Sequence, residues 1–373
     1  MKYYLIAGEA SGDLHASNLM KELKRQDTNA VFRFWGGDRM MAQGGELVKH
    51  INELAFMGFW EVLINLRTIL QNIKHCKKDL LRYKPDVLVL IDYPGFNLRM
   101  AEFAKKHGIR VVYYISPQIW AWKQSRVKQI RRDVDKMMVI LPFEQEFYSR
   151  FGVEVEFTGH PLLDAIGEYQ KGDTREAFFK ENDLSEKPIV ALLPGSRKQE
   201  LASTLKVMAS VIESFPDHQF VVAGVQAHPA EYYQELTKGA NVKLIFGQTY
   251  RLLAHAEAAL VTSGTATLET ALFNVPQIVC YRAGRISYQI AKRLIKVKYI
   301  SLVNLIMDRP LVREMIQYDF NGNDLKKELH RLLYDRAYVE QIKAGYQELR
   351  HKLGGAGASR KAAEIIVNFL STN

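Results

Sequence analysis

The sequence predicts an α/β protein with two domains, each built on a parallel β-sheet. Short apolar runs alternate with longer amphipathic stretches, and this alternation is typical of parallel strands joined by helices. The length of 373 residues fits two domains at roughly 100–200 residues each. The pattern therefore favours two facing Rossmann-like domains, which bind ligands at the carboxyl ends of their strands.

The strand candidates fall into two groups along the chain. In the first half they are residues 3–7, 31–35, 87–91, 111–115 and 137–141. In the second half they are residues 189–193, 219–223, 242–246, 258–261 and 277–280. A charged stretch separates the groups. We predict a first domain of residues 1–170, joined by the C-terminal helix 359–373, and a second domain of residues 171–358.

Composition narrows the class of protein. The net charge is +10, from 51 Lys and Arg against 41 Asp and Glu, so anionic partners are favoured. Cys76 and Cys280 stand far apart in sequence, which excludes a disulfide scaffold or a Cys-rich zinc site. No histidines pair at metal-ligand spacing, and we expect neither a metal nor a cofactor. Because there is no signal peptide and no apolar stretch of ~20 residues, we expect a cytoplasmic protein.

A glycine-containing segment follows the first strand candidate. Gly8 and Gly12 let the backbone approach a ligand, but they do not form the G-x-G-x-x-G motif of dinucleotide-binding proteins. Glu9 and Asp13 would repel a pyrophosphate, whereas the hydroxyls of a sugar suit both carboxylates. The alternative is a tight turn in which Asp13 caps a helix that begins near Leu14.

Asp92 directly follows the apolar strand candidate 87–91. A carboxylate at the carboxyl end of a strand points toward the ligand crevice, where a general base is needed. The same residue would serve equally well to cap the next helix, and the pattern alone leaves both interpretations open.

The turn after strand candidate 189–193 has the composition of a phosphate site. It consists of Gly195, Ser196 and Arg197, and an Arg at a helix start supplies a fork of donors to a diphosphate. It is not a Walker loop, because no G-K-[ST] follows. An ordinary structural turn is the alternative.

A second phosphate-type turn contains Ser263, Gly264 and Thr265. These residues end a strand and open a helix, whose N–H groups and dipole attract an anion. Glu269 lies one helical turn further on, within reach of the hydroxyls of an attached ribose. A capping box would need its acid at position 268, which is Leu268. Two such turns in one domain favour a nucleotide diphosphate.

An apolar helical face and two acid-free basic runs stand out among the remaining segments. A broad apolar face on a basic protein suits a membrane surface or a lipid-chain groove, and a well-buried helix gives the same pattern. The basic runs fit anionic partners or an ordinary solvated face. The apolar face includes Phe59, Trp60, Leu63, Ile64, Leu66 and Leu70, the first basic run contains Lys123, Arg126, Lys128, Arg131 and Arg132, and the second lies between Glu269 and Asp308.

Taken together, these motifs resemble the lipid-A-disaccharide synthase family, bacterial glycosyltransferases of the GT-B fold. The resemblance covers nearly the whole chain and keeps the family's order. ISPQIWAW, SGTATLE and YISLVNL in one chain are highly specific, whereas LLPGSR alone is weakly specific. The matching strings are AGEASGDLH, MGFWEVL, IDYPGFN, ISPQIWAWKQSRV, LPFEQEFY, TGHPLLD, LLPGSR, SGTATLE and AKRLIKVKYISLVNLIMDR.

The resemblance implies a reaction and its partners. The enzyme would move 2,3-diacylglucosamine from UDP-2,3-diacylglucosamine to 2,3-diacylglucosamine 1-phosphate, giving a β(1→6) disaccharide 1-phosphate and UDP in lipid A and lipopolysaccharide biosynthesis. It would act peripherally on the cytoplasmic face of the inner membrane. The acyl chains of both substrates fit the apolar face, and their phosphates fit the basic runs. A homodimer is left open.

The resemblance also assigns roles to residues of this sequence. It places the family's essential Asp on Asp92, with Gly95 where many relatives have a second Asp. The nucleotide-sugar site falls on Gly195, Ser196, Arg197, Ser263, Gly264, Thr265, Glu269 and Asn304. The acceptor-side candidates are Glu9, Ser11, Gly12 and Asp13.

The implied mechanism is a single displacement with inversion. Asp92 would deprotonate or orient the acceptor 6-hydroxyl, and Arg197 with the amides of 263–265 would stabilise the leaving diphosphate without a metal. Another UDP-sugar enzyme, such as an epimerase or a transferase with a water-soluble acceptor, is a competing hypothesis. A nucleic-acid-binding protein is a third, but no zinc spacing, RNP string or helix-turn-helix supports it.

Overall fold

The computed structural model describes residues 1–54, 66–169, 174–284, 288–289 and 297–372. It divides into two compact units, one formed by Met1–Asp164 with Leu353–Asn373 and the other by Ala165–Lys352. Each unit contains one parallel sheet flanked by helices. The predicted α/β class with two parallel sheets is confirmed.

The first unit has a seven-stranded sheet in the order β3-β2-β1-β4-β5-β6-β7. All pairings are parallel, and Tyr3 to Ala7 of β1 lie beside Val87 to Ile91 of β4. Two strands were absent from the sequence prediction, since β3 is a half-exposed edge strand and β7 has two residues. The strands are β1 (Lys2–Ala7), β2 (Val31–Gly36), β3 (Glu46–His50), β4 (Val87–Ile91), β5 (Arg110–Tyr114), β6 (Lys136–Val139) and β7 (Glu156–Phe157).

Helices form crossover connections between successive strands, as parallel pairing requires. Short 3₁₀ turns at Ile51–Glu53 and Gln124–Arg126 interrupt the connections. The prediction of a first helix near Leu14 was wrong, because α1 already begins at Ala10, with Glu9 as its N-cap residue. The helices are α1 (Ala10–Gln26), α2 (Asp38–Ala42), α3 (Leu66–Tyr83), α4 (Pro94–Lys106), α5 (Ile119–Trp122), α6 (Val127–Asp133) and α7 (Glu144–Ser149). The next helix, α8 (Leu162–Tyr169), begins in the first unit and continues into the second.

The second unit has a six-stranded parallel sheet in the order β10-β9-β8-β11-β12-β13. Its last strand was also missed, because charged residues break the apolar run. The strands are β8 (Ile189–Leu193), β9 (Gln219–Gly224), β10 (Val242–Phe246), β11 (Ala256–Thr262), β12 (Gln277–Tyr281) and β13 (Arg313–Ile316). The helices are α9 (Arg175–Glu181), α10 (Lys198–Ala209), α11 (Ala230–Thr237), α12 (Thr249–His255), α13 (Thr265–Leu272), α14 (Leu302–Met307), α15 (Gly322–Tyr334) and α16 (Arg336–Lys352), with a 3₁₀ turn at Ile212–Ser214.

The chain returns to the first unit after α16. The last helix, α17 (Ala358–Ser371), packs on α1. The Asp164 carboxylate accepts hydrogen bonds from the N–H groups of Gly357 (2.5 Å) and Ser359 (3.0 Å), which secures the start of that helix. Among the described residues, no helix combines the length and apolarity that crossing a membrane would require.

A buried ion pair ties α3 to the first sheet. Asp79, 2% exposed, accepts hydrogen bonds from Arg33 Nε (2.7 Å) and Nη2 (2.8 Å) and from the Tyr4 hydroxyl (2.9 Å). Burial alone would raise the pKa of Asp79, but the hydrogen bonds from Arg33 and Tyr4 outweigh it and lower the pKa. The carboxylate therefore stays charged inside the fold.

Replacing Asp79 by Ala should lower the free energy of unfolding by about 3–5 kcal/mol, because the buried Arg33 would lose its buried partner and keep only its ion pair with the exposed Glu46. The matched control is Glu102→Ala, which removes an exposed pair with Lys106 (2.8 Å) and should cost less than about 1 kcal/mol. Denaturant unfolding of both variants measures the difference, and equal losses would contradict the assignment.

Candidate active site

In the first sheet, the order of the strands reverses between β1 and β4. The chain runs outward from β1 through β2 to β3 and then returns to place β4 on the other side of β1. Open α/β sheets bind ligands at such a switch point, outside the carboxyl ends of the strands. Ala7 pairs with Ile91, so the residues that follow them, Gly8 and Asp92, lie side by side at this edge.

Asp92 lies on a strained turn that tertiary contacts hold in place. Asp92 (φ +44°) and Tyr93 (φ +46°) are both in the left-handed region, which is costly for residues with a side chain. The Asp92 carbonyl accepts hydrogen bonds from Asn97 Nδ2 (2.8 Å) and from the Tyr113 hydroxyl (2.5 Å). Asn97 is fully buried and also donates to the Ile91 carbonyl (3.2 Å). The sequence analysis singled out neither Asn97 nor Tyr113.

Gly8 makes room for this turn. A Cβ atom on Gly8 would lie 2.3 Å from Cγ of Tyr93, which is inside the ring's van der Waals surface. The Tyr93 ring in turn stacks on Phe96, with 5.7 Å between centroids. Position 8 must therefore be glycine because the Tyr93 ring occupies the space that a Cβ would need.

The environment of Asp92 raises its pKa to about 7. Burial is the main cause because it disfavours the charged carboxylate, and the nearby negative charge of Glu9 adds to it. A hydrogen bond from the Tyr93 N–H acts in the opposite direction. A carboxyl group that titrates near neutrality is suited to accept a proton during a reaction.

The acceptor-side candidates have different surroundings. Both oxygens of Asp13 are engaged by the start of α2, where Oδ1 accepts from Gly37 N (2.7 Å) and Oδ2 from Arg39 N (3.1 Å). Gly12 is buried against Ala7, whereas Glu9 is half-buried and Ser11 is exposed. Glu9 and Ser11 therefore have side chains at the edge of the sheet, and Asp13 serves the fold.

The second sheet has its own switch point, between β8 and β11. Val261 pairs with Leu193, so the turn at Gly195 and the segment from Thr262 lie next to each other. Gly195 has φ +95°, a conformation that favours glycine. A Cβ there would lie 3.4 Å from Cγ2 of Thr262 and 3.2 Å from Oε2 of Glu200. The two predicted phosphate turns are therefore neighbours.

Arg197 and Ser196 are exposed at this second edge. Arg197 precedes α10, its side chain is 61% exposed, and Nη1 lies 2.9 Å from Oε1 of Glu200. An exposed pair of this kind is weak, so the guanidinium can exchange Glu200 for a stronger anion. The Ser196 carbonyl is 2.9 Å from Nε2 of His228. This contact holds the turn in place.

The second turn leaves the first N–H groups of α13 without a side-chain cap. Gly264 is the N-cap residue, and Gly264 and Thr265 are exposed. Ser263 Oγ donates to the Ile300 carbonyl (2.8 Å). Glu269 accepts a hydrogen bond from the Tyr250 hydroxyl (2.9 Å), and burial raises its pKa. The uncapped helix start can receive an anion.

Asn304 is placed behind this turn. It is 1% exposed, and Nδ2 donates to the Val312 carbonyl (2.9 Å) and to Oε1 of Glu314 (2.9 Å). The Glu314 carboxylate also accepts from Ile300 N and Ser301 N, both at 3.0 Å. Asn304 thus acts through Glu314 on the segment that holds Ser263. The sequence analysis missed Glu314, which follows no recognisable motif.

Of the predicted membrane or acyl-chain contacts, Leu70 has a described side chain. Phe59, Trp60, Leu63 and Ile64 lie outside the described residues, as does the side chain of Leu66. Leu70, on α3, is 52% exposed. Across the described ranges, no cluster of three or more His, Cys, Asp or Glu side chains could hold a metal ion.

The lipid-A-disaccharide synthetase family matches residues 3–368. The chain belongs to this family. It is 37% identical to the lipid-A-disaccharide synthase of Geobacter sulfurreducens over 372 residues, which cover 98% of the chain and 96% of that relative. It is 38% identical to the synthase of Syntrophus aciditrophicus, covering 98% of the chain and 97% of the relative. The resemblance drawn from the motifs is confirmed, and the chain is a glycosyltransferase of lipid A biosynthesis.

Solved structures similar to this member of the lipid-A-disaccharide synthetase family share its fold. The UDP-GlcNAc 2-epimerase from Neisseria meningitidis, bound to UDP-GlcNAc, aligns with a TM-score of 0.70 at 15% identity and covers all of both chains. The glycotransferase of kitacinnamycin aligns with a TM-score of 0.64 at 14% identity and covers 98% of both. The predicted GT-B fold is confirmed.

The variant Gly8→Ala should displace Tyr93 and with it the Asp92 turn. Overpacking of this kind typically costs about 1–3 kcal/mol of stability, and turnover should fall more than stability alone explains. Gly95→Ala is the matched control, because nothing lies within 4 Å of its added methyl group. Thermal unfolding and turnover of both variants measure the effect, and a fully active Gly8→Ala enzyme would contradict the constraint.

Proposed function

We propose that this enzyme transfers 2,3-diacylglucosamine from UDP-2,3-diacylglucosamine to the 6-hydroxyl of 2,3-diacylglucosamine 1-phosphate. The products are the β(1→6) disaccharide 1-phosphate and UDP. The observation that carries the proposal is Asp92, a carboxyl group with a pKa near neutrality on a rigid turn at the switch point of the first sheet. The family supplies the substrate class, and this residue supplies the chemistry.

Asp92 acts as the general base in a single displacement with inversion. Its carboxylate takes the proton of the acceptor 6-hydroxyl while that oxygen forms the bond to C1 of the donor sugar. The bond between C1 and the diphosphate oxygen breaks on the opposite face, and UDP leaves with the electron pair. Gly95 leaves Asp92 as the only carboxylate of its motif.

The second unit binds the nucleotide. The exposed guanidinium of Arg197 and the N–H groups at the start of α13 stabilise the charge that develops on the leaving diphosphate. Ser263 belongs to the same diphosphate site. The Glu269 carboxylate, oriented by the Tyr250 hydroxyl, accepts hydrogen bonds from the ribose hydroxyls. Asn304 helps to position this site through its hydrogen bond to Glu314. These groups provide positive charge without a metal ion.

Glu9 and Ser11 contact the acceptor sugar at the edge of the first sheet. Glu9 lies close enough to Asp92 to affect its pKa, and Ser11 is exposed one position into the first turn of α1. Asp13 is left out of this role because α2 uses both of its oxygens. The exposed Leu70 and the net charge of +10 support a peripheral contact with the cytoplasmic face of the inner membrane.

Asp92→Asn should lower turnover about 10²–10⁴-fold while UDP binds as in the unchanged enzyme, because a positioned base contributes to the chemical step. Arg197→Ala should instead weaken UDP binding, because the guanidinium would no longer contact the diphosphate. UDP release with and without acceptor, in mild detergent and a chelator, measures turnover, and calorimetry measures UDP affinity. Near-normal turnover of Asp92→Asn would refute the role of Asp92. Release without need of the acceptor would favour a different UDP-sugar reaction.

The rate should fall as the pH decreases through about 7, because protonated Asp92 cannot accept the proton of the acceptor. Glu9→Gln removes a neighbouring negative charge, so the pKa of Asp92 should fall and the acid limb of kcat/KM should move to lower pH. Glu102→Gln, an exposed change on α4, is the control and should leave the limb in place. A limb that does not move in Glu9→Gln would show that another group controls it.

A further inference from the structure

The segment that follows β5 brings a set of cations to the same edge of the sheet as Asp92. β5 lies next to β4, and its carboxyl end leads into α5 and then into the 3₁₀ turn Gln124–Arg126. Gln124 Nε2 donates to the Trp120 carbonyl (3.2 Å), which ties that turn to α5. Residues 122–126 therefore stand at the catalytic edge of the first unit rather than at its opposite edge.

Two cations in this segment approach one exposed aromatic ring. Trp122 is 48% exposed, Lys123 Nζ lies 4.3 Å from its centroid, and Arg126 Cζ lies 5.9 Å from it. Within the described part of the chain, neither cation forms an ion pair with a carboxylate. In contrast, Arg132 of the same basic run is paired with Asp133 at 2.7 Å. Lys123 and Arg126 are thus available to an anion from outside.

Arg126 and Asp92 follow the carboxyl ends of two paired strands. Ile91 of β4 lies beside Tyr114 of β5, and the chain continues from β5 into the segment that contains Arg126. The Tyr113 hydroxyl of β5 donates to the Asp92 carbonyl at 2.5 Å, so β5 also holds the Asp92 turn. The positive charge of Arg126 acts on Tyr113, where it opposes the rise in pKa that burial causes. An anionic group bound by Arg126 would therefore lie at the edge of the sheet that carries Asp92.

We propose that Lys123 and Arg126 bind the phosphomonoester of the acceptor, with the Trp122 ring providing an apolar wall for the same ligand. This inference rests on the proposed function, because that acceptor carries its phosphate at position 1 and reacts at its 6-hydroxyl. Arg and Lys are the usual partners of phosphate, and a Trp face suits the apolar side of a sugar or an acyl chain. The subsite makes phosphate recognition and catalysis two ends of one binding mode.

The headgroup of an anionic lipid is the other source of a phosphate at this surface. The acceptor is favoured because Arg126 is half-buried and follows β5, the strand paired with the one that ends at Asp92, whereas a headgroup site needs only exposed cations. The two sources predict different dependences on the acceptor's own phosphate.

The test compares two acceptors in mixed detergent micelles, 2,3-diacylglucosamine 1-phosphate and the same sugar without phosphate. For the phosphorylated acceptor, Arg126→Gln should lower kcat/KM about 10- to 100-fold, as expected for loss of a hydrogen bond between charged groups. For the acceptor without phosphate, Arg126→Gln should equal the unchanged enzyme. Arg126→Lys should restore part of the loss, and the KM for the UDP-sugar should not change.

Arg131→Gln is the matched control, since Arg131 belongs to the same basic run but lies toward the other end of α6. It should leave kcat/KM for both acceptors unchanged. Equal losses on both acceptors in Arg126→Gln would overturn the subsite and indicate a structural role. An unchanged preference for the phosphorylated acceptor, with weaker binding to phosphatidylglycerol vesicles, would overturn it in favour of a lipid headgroup.

The wild-type enzyme separates failure of the subsite from failure of the proposed function. If it releases UDP in response to the phosphorylated acceptor, the variants judge the subsite alone. If it shows no acceptor-dependent release while it still binds UDP, the proposed function is refuted, and the subsite is refuted with it.

Discussion

The proposed catalytic site of this enzyme depends on one strained turn. Asp92 and Tyr93 both adopt left-handed backbone conformations, which are unfavourable for residues with side chains. Two hydrogen bonds to the Asp92 carbonyl, from Asn97 and Tyr113, keep the turn in this state. The carboxyl group of Asp92 is half-buried near Glu9, and this environment gives it a pKa near neutrality. The backbone strain at Asp92, the burial of its carboxyl group and its raised pKa therefore all result from this turn.

The two units use the same topological device for different chemistry. In each sheet a glycine-containing turn and a polar segment lie side by side where the strand order reverses. In the first unit this edge carries carboxyl groups, which suit a hydroxyl nucleophile. In the second unit it carries an uncapped helix start and an Arg, which suit a diphosphate. That difference in charge is the reason why we propose that the acceptor binds to the first unit and the donor to the second.

Several polar residues of the motifs act inside the fold. Asp13 caps α2 with both of its carboxylate oxygens, and Asn304 holds Glu314 and the Val312 backbone with its amide group. Buried polar groups must be satisfied, so such networks are rigid and specific. A residue of a family motif can therefore contribute to the proposed site by holding another residue in place. Glu314 illustrates the converse, since a residue outside every recognised motif fixes the position of Ser263.

Sequence patterns were enough to predict the α/β class, ten of the strands, the position of Asp92 after a buried strand, and the family. These predictions rest on local patterns of apolar residues and on short family motifs, both of which can be recognised without knowing which distant residues they contact. The tertiary structure decided the left-handed turn at Asp92, the need for Gly8, and which carboxylates are engaged. It also added the edge strands β3, β7 and β13, whose short or charged sequences carry little periodic signal. Each of these features arises from contacts between residues far apart in sequence, such as Tyr113 with Asp92, and local pattern contains no information about such contacts.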